Sequence, residues 1–434
     1  MKIGIIGAGI TGLTAAYELG KAGQQVTVFE RAAQAGGLAG TFKDERWDWP
    51  LEIFYHHAFQ SDRALIDLSK ELGIGDKLFF PRPITAIWQN GTTNAFDGVL
   101  PVLRYPYLSF VDKMRVGLAT VYLRLTTNWK PLERVTAEEW LMRYIGPRAY
   151  HTLWEPLLAN KMTRYYKETP MSWFWARIYK RSFRLGYFVG GYQTLTDALV
   201  AKAQARGAAI HLQAPVTRIE ADGAGYRLQV GGEEHSFDAV LATVPPQTML
   251  GLAPLLPEDY QAQVRQLKAL AALTLILAVD RRVTDGYYWI NLPQGQFPFL
   301  AFVEHTNYQS PEHYGGDHII YLGDYPALDE PHWSASKDEL LAEFLPHLIK
   351  FNPAFDPSWV RKSWLFREEY AQPVPPLNYS QQMPAVRTPL SGLYFASMSQ
   401  VYPWDRGTNS SVEMGQKVAK MVVEDAQGVH RARE

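Results

Sequence analysis

The chain has 434 residues, of which 47% are hydrophobic and 20% charged, with a formal net charge of -1 and no cysteine. That length exceeds a single ordinary core and predicts two domains. The lack of cysteine excludes disulfides, thiol catalysis and Cys-ligated clusters, and the near-neutral balance gives no support for nucleic-acid binding, which calls for a basic surface.

The chain opens on Lys2 to Ile6, a short β-branched run expected of a buried parallel strand. A basic and then apolar leader is not read there, so the cytoplasm is the default compartment; nor does any apolar stretch reach bilayer length. Gly7, Gly9 and Gly12 follow the strand. Gly7 suits a sharp turn, Gly9 leaves room for a pyrophosphate against the backbone, and Gly12 lets a helix from Gly12 to Ala22 sit close on the strand. The phosphates would meet the positive helix N-terminus. Val26 to Phe29 reads as the second strand, ending in Glu30, where a carboxylate accepts hydrogen bonds from ribose hydroxyls and disfavours a 2′-phosphate. Arg31 and a second cluster, Gly36, Gly37, Leu38 and Gly40, come next. A plain NAD site has no need of that cluster, whereas a flavin must run along the same crevice close to backbone.

Downstream, His56 and His57 sit among Trp47, Trp49, Phe54, Tyr55 and Phe59, and are candidates for a general base or a polar clamp on substrate. Pro101 to Leu125 is apolar on one helical face and interrupted by Asp112, Lys113, Arg115 and Arg124. Between Lys161 and Arg184 seven basic residues alternate with Trp173, Phe174, Trp175 and several tyrosines. Such interleaving suits an interfacial helix, giving peripheral membrane contact through 161–184 as one expectation; the other is that the aromatics pack the substrate domain or line its cavity, with the basic residues on the solvated face. A turn at Gly190 and Gly191 precedes a helix from Leu195 to Arg206, and Leu273 to Val279 and His318 to Leu322 read as strands, with a helix over Lys337 to Ile349. At the C-terminus come a strand over Leu393 to Ser397, a turn over Tyr402 to Gly407, and Asn409 as N-cap of a helix from Ser410 to Val423. The tail from Gln427 to Glu434 is polar and expected to be disordered. Glu304 with His305, and His313 with His318, lack an accepted ligand spacing, so no metal site is read.

On Gly7, Gly9, Gly12, Glu30, Arg31, Gly36, Gly37 and Gly40, the stretch Met1 to Thr41 resembles the N-terminus of the FAD-dependent amine oxidase superfamily, which includes monoamine oxidases, protoporphyrinogen oxidases, phytoene desaturases and, distantly, UDP-galactopyranose mutases. Ile210 to Ile219, Phe237 to Pro245 and Leu393 to Met421 are similar to later parts of that superfamily. The resemblance implies bound FAD and a Rossmann-type α/β FAD domain assembled from 1–94, 187–250 and 391–434, with an inserted α+β substrate domain, 95–186 and 251–390. It implies an adenine contact at Val216 and cofactor contacts from Asp405, Arg406, Thr408 and Asn409, the first two standing in for a family Gly-Asp pair that is Ser397 and Met398 here. Lys161 and Tyr402 join the two histidines as candidate catalytic residues, with Trp404 and Tyr370 as cavity aromatics.

Three functions follow. The first is an FAD-dependent oxidoreductase taking hydride from a fairly apolar small molecule, such as an isoprenoid, a porphyrinogen or a hydrophobic amine, to flavin N5. The second is a non-redox flavoenzyme of the UDP-galactopyranose mutase type acting on a nucleotide sugar. The third is a non-catalytic FAD-binding protein. Oligomeric state is not legible.

Overall fold

A computed structural model of the chain describes residues 1–293 and 295–431. Its central element is a five-stranded, wholly parallel sheet in the order Ala209–His211, Gln25–Phe29, Lys2–Ile6, Ala239–Ala242 and Leu393–Phe395. Ile3, Ile5, Val28 and Leu241 are fully buried in it, as expected of parallel strands covered on both faces. The helix Ile10–Lys21 leaves the first strand through the glycine turn. An ideal Cβ on Gly12 would lie 2.1 Å from the Gly7 carbonyl oxygen, so only glycine permits this helix-to-strand approach. Gly415 plays a similar part on the far side: a Cβ there would lie 2.7 Å from the Thr11 carbonyl oxygen, which lets the C-terminal helix Thr408–Arg431 lie against the first helix. Ser397 is not in a strand, since the last strand ends at Phe395.

A three-stranded antiparallel meander, Val216–Asp222, Gly225–Val230 and Glu233–Phe237, leads back into the parallel sheet. A second layer is a seven-stranded mixed sheet in the order Val360–Pro373, Ala269–Val279, His318–Asp324, Ala301–Glu304, Tyr287–Asn291, Ile84–Gln89 and Thr92–Ala95. Ile84–Gln89 thus pairs with Tyr287–Asn291 of the inserted half and carries Thr92–Ala95 on its other edge, and the domain boundary placed between 94 and 95 falls inside Thr92–Ala95. The rest of the first insertion is helical, from Val99–Arg104 to Met171–Lys180. Two of its helices start at capping boxes: Ser109 with Asp112 before Phe110–Leu125, and Thr136 with Glu139 before Ala137–Ile145.

Three expectations are corrected here. Trp173, Phe174 and Trp175 are at most 2% exposed, packed in the helical core with Leu132, Leu141 and Tyr150; an aromatic run apolar all round its helix is buried, so 161–184 does not offer these rings to a membrane. Asn409 does not cap its own helix, which begins one residue earlier at Thr408. Its Oδ1 instead accepts from the Leu65 backbone N–H at 3.1 Å, satisfying a first-turn donor of the helix Arg63–Glu71. The C-terminal helix also runs on through Arg431, across the start of the expected tail; residues 432–434 lie outside the described residues.

Candidate active site

Two cavities meet where the parallel sheet faces the inserted half. The first is lined by Gly7, Gly9, Glu30, Arg31, Gly36, Gly37, Leu38 and Val216 from the N-terminal part, and by Ser397, Met398, Arg406, Gly407 and Thr408 from the C-terminal part. The residues fit a dinucleotide. An ideal Cβ on Gly9 meets nothing nearer than the Gly37 Cα at 3.9 Å, so the backbone there is open to a phosphate. The Glu30 carboxylate is fixed by the N–H groups of Ala8, 2.7 Å, and Ala32, 2.9 Å, with lone pairs left for ribose hydroxyls. Ile10 and Thr11 of the first helix, and Gly407 and Thr408 of the last, bring two positive helix N-termini to this cavity.

Gly12 and Gly40 support the cavity without lining it. Gly12 packs under the turn, and Gly40 closes the short turn of Gly37–Ala39 with its N–H on the Gly37 carbonyl at 2.9 Å. Ser397 and Met398 line it themselves. Asp405 does not, which corrects its assignment to the cofactor: its carboxylate accepts from Arg177 and from Trp173 Nε1 at 3.2 Å. Asn409, turned to Leu65, is likewise absent from this wall.

The second cavity is lined by Tyr55, His56, His57, Phe59, Asp62, Lys161, Arg177, Lys180, Arg181, Trp289, Leu300, Tyr325, Trp404 and Asp405. It shares His56, Arg406, Gly407 and Thr408 with the first. At the junction the buried Tyr325 hydroxyl accepts from Lys161 Nζ at 3.1 Å and Arg406 Nη2 at 2.8 Å. Burial alone would raise the Tyr325 phenol, yet the charges of Lys161 and Arg406 outweigh it and hold it below its usual range. Burial lowers the Lys161 ammonium.

His56 Nδ1 donates to the Phe54 carbonyl at 2.6 Å, so its neutral ring keeps Nε2 as an acceptor. Burial, against the help of that carbonyl, pushes His56 down to about 4. His57 goes to about 3, first through burial and then through Arg181, His56, Arg177 and Lys161, and its Nδ1 has no partner among the described residues. Both rings are therefore neutral at pH 7. Asp62 is raised to about 6 by burial and accepts from the Phe59 N–H at 2.7 Å.

Of the four catalytic candidates, His56, His57 and Lys161 reach the second cavity and Tyr402 does not. The Tyr402 hydroxyl pairs with Ser172 Oγ at 2.5 Å and its ring packs on Trp129 and Tyr379, so the phenol that the sequence places beside the last helix turns away into packing. Trp404 lines the second cavity and Tyr370 the first. Tyr325 was missed by sequence reasoning, with no local motif to mark it, while sequence reasoning marks Tyr55 only as a neighbour of the histidine pair and Arg177 only as one of seven basic residues, not as site groups. Among the described residues no three His, Cys, Asp or Glu side chains converge as metal ligands.

The family model for flavin-containing amine oxidoreductases matches residues 10–423. A 15-cis-phytoene desaturase of Synechococcus elongatus is 24% identical over 399 residues, covering 81% of this chain and 80% of that protein. Among solved structures, an oxidoreductase from Methanosarcina mazei superposes with a TM-score of 0.74 at 21% identity, covering 97% of this chain and 100% of the other. Cyclohexylamine oxidase from Brevibacterium oxydans superposes with a TM-score of 0.72 at 18% identity, covering 98% and 99%.

Proposed function

The chain belongs to the flavin-containing amine oxidoreductase family and is an FAD-dependent oxidoreductase, and we propose that it removes a hydride from a fairly apolar small molecule seated in the cavity of His56, His57 and Tyr325. The observation that carries this reading is the junction of the two cavities at His56, Arg406, Gly407 and Thr408, which sets a substrate pocket against the end of a dinucleotide cleft. When bound, FAD supplies the hydride acceptor, its N5, and oxygen or a quinone would reoxidise it. Gly7, Gly9, Glu30, Arg31, Gly36, Gly37, Leu38, Val216, Arg406 and Thr408 would hold it.

The substrate also loses a proton. A group titrating near 4 is a weak base at pH 7, which suits His56 Nε2 and the free His57 nitrogen to orienting the substrate by hydrogen bonds. Tyr325, lowered by two cations, is better matched to take that proton, with Lys161 as the positioning residue that holds it. Trp289, Phe59, Leu300 and Trp404 wall off water. Isoprenoids, porphyrinogens and hydrophobic amines are the substrate classes carried over from the family resemblance.

The cationic lining of Arg177, Lys180 and Arg181 favours a second reading, the mutase-like reaction on a nucleotide sugar without net oxidation. The purified protein is expected to be yellow and to release FAD on denaturation. Bleaching of its flavin by a candidate substrate without external reductant supports the oxidoreductase reaction. Activity only after dithionite reduction overturns it in favour of the mutase, and neither across a broad panel leaves a non-catalytic FAD-binding protein.

No described helix is long and apolar enough to cross a membrane. With Trp173, Phe174 and Trp175 buried, we infer that peripheral membrane contact falls on the helix Phe110–Leu125. Its outer face presents Phe110, Val111, Met114, Leu118, Val121 and Leu125, with Phe110 and Leu125 73% and 76% exposed, a contiguous apolar stripe of the kind that marks an interaction surface. Arg115 and Arg124 flank it, and the helix's one acid, Asp112, is buried and bound by Arg148. A second copy would bring like charges together, whereas an anionic bilayer complements them. The protein is expected to float with phosphatidylglycerol-containing vesicles, and Leu118→Glu with Leu125→Glu to cut that binding roughly tenfold or more. Failure to float, or unchanged flotation of the double variant, overturns this placement.

A further inference from the structure

We propose that the substrate cavity carries an oxyanion subsite at the end of the helix Met171–Lys180, centred on Arg181 and Lys180, so that the substrate is an apolar body bearing a carboxylate or phosphate. This deepens the reading of that cavity as the substrate site and rests on it. Five cationic side chains line the cavity, Lys161, Arg177, Lys180, Arg181 and Arg406, against two carboxylates, Asp62 and Asp405. The excess is local, since the whole chain carries a net charge of -1.

Three of the five cations have partners within the wall. Lys161 and Arg406 donate to Tyr325, and Arg177 is paired with Asp405. Lys180 and Arg181 form no side-chain ion pair or hydrogen bond among the described residues; Lys180 rests 4.5 Å above the centre of the Trp404 ring. They are not the counter-charge of the cofactor's phosphates, because neither lines the glycine cleft. Arg181 is held from behind: its backbone carbonyl accepts from Arg124 Nη2 at 2.7 Å, which leaves the guanidinium free to fork onto an oxyanion. Trp289, Phe59 and Leu300 supply the apolar wall beyond it. Arg181 is exposed and Lys180 half-buried at this end of the cavity, so a cationic amine would meet this charge as repulsion and an uncharged hydrocarbon would gain nothing from it.

The test uses the FAD-loaded protein and four probes of one chain length, decanoate, decyl phosphate, decanol and decylamine, below micelle-forming concentrations. Binding is read from the absorption spectrum of bound flavin and from the fluorescence of the wall tryptophans, which reports whether or not flavin is retained. Decanoate or decyl phosphate should bind at least tenfold more tightly than decanol, with decylamine weakest, and the tighter of the two anions identifies the group carried. Arg181→Gln with Lys180→Gln should weaken the anion roughly tenfold and leave decanol unchanged. Decanol or decylamine binding as tightly as both anions, or anion binding unmoved in the double variant, overturns the subsite. Anion selectivity without bleaching by any substrate would leave the subsite standing and remove hydride transfer; bleaching by an uncharged substrate without anion selectivity would do the reverse.

Discussion

Gly9→Ala is expected to give a folded protein that has lost FAD, and Gly12→Ala a protein that loses the fold around the cleft as well. The two glycines are two residues before and one residue after the second residue of the same helix, yet their surroundings differ sharply. Gly9 has φ −73° and ψ 175°, which alanine adopts without strain, and its added Cβ finds no atom within 3.9 Å. The methyl therefore occupies the cleft where a pyrophosphate must lie, lowering FAD affinity on the order of 100-fold or more while apo stability stays level or rises by about 0.4–1 kcal/mol through a less flexible unfolded chain. At Gly12 the methyl would sit 2.1 Å from the Gly7 carbonyl oxygen and 2.9 Å from Thr243 Oγ1. The helix must back away from the strand, an overpacking that costs about 1–3 kcal/mol or more. Thermal unfolding of stripped protein, with FAD binding followed by fluorescence, separates them. Wild-type FAD affinity in Gly9→Ala, or an unshifted transition in Gly12→Ala, would remove the cleft from the role given to it.

The cofactor cleft was legible because its information is local. Gly7, Gly9, Gly36 and Gly37 would act through backbone geometry and Glu30 through its carboxylate, all within or just after one strand–helix–strand unit, and spacing alone brings them together. The exposed stripe of Phe110–Leu125 was legible for the same reason, as apolar residues at helical intervals. What failed was direction. Tyr402 and Asp405 lie in the right turn, but Tyr402 packs on Trp129 and Asp405 answers Arg177, choices made by elements far away in sequence. Asn409 has the chemistry of a cap and serves as one, for a helix more than three hundred residues earlier. Tyr325 was invisible because its character comes from Lys161 and Arg406, neither near it in the chain; alone it is an ordinary tyrosine after a strand.

Tyr325 supplies the second large expected effect. With a substrate that bleaches the flavin, Tyr325→Phe should slow anaerobic flavin reduction by about 10²–10⁴, the usual contribution of a positioned base, while leaving FAD bound. Lys161→Met keeps the phenol but removes one of the two charges holding it below its usual range, so reduction should slow at neutral pH and recover as pH rises. The titration itself can be followed without any substrate: in an ultraviolet difference titration one tyrosine should ionise well before the other twenty-three of the chain's 24. That early step should vanish in Tyr325→Phe and move to higher pH in Lys161→Met. Stability must follow with a definite sign. A phenol whose folded pKa lies below its unfolded value of about 10 adds stability that grows as pH rises from the folded pKa toward 10 and is lost as pH falls through the folded pKa. The wild type should therefore gain on Tyr325→Phe in thermal stability through the alkaline range. An early step that persists in Tyr325→Phe would assign the low-titrating phenol elsewhere, and flavin reduction at the wild-type rate in that variant would leave proton removal to His56 or His57.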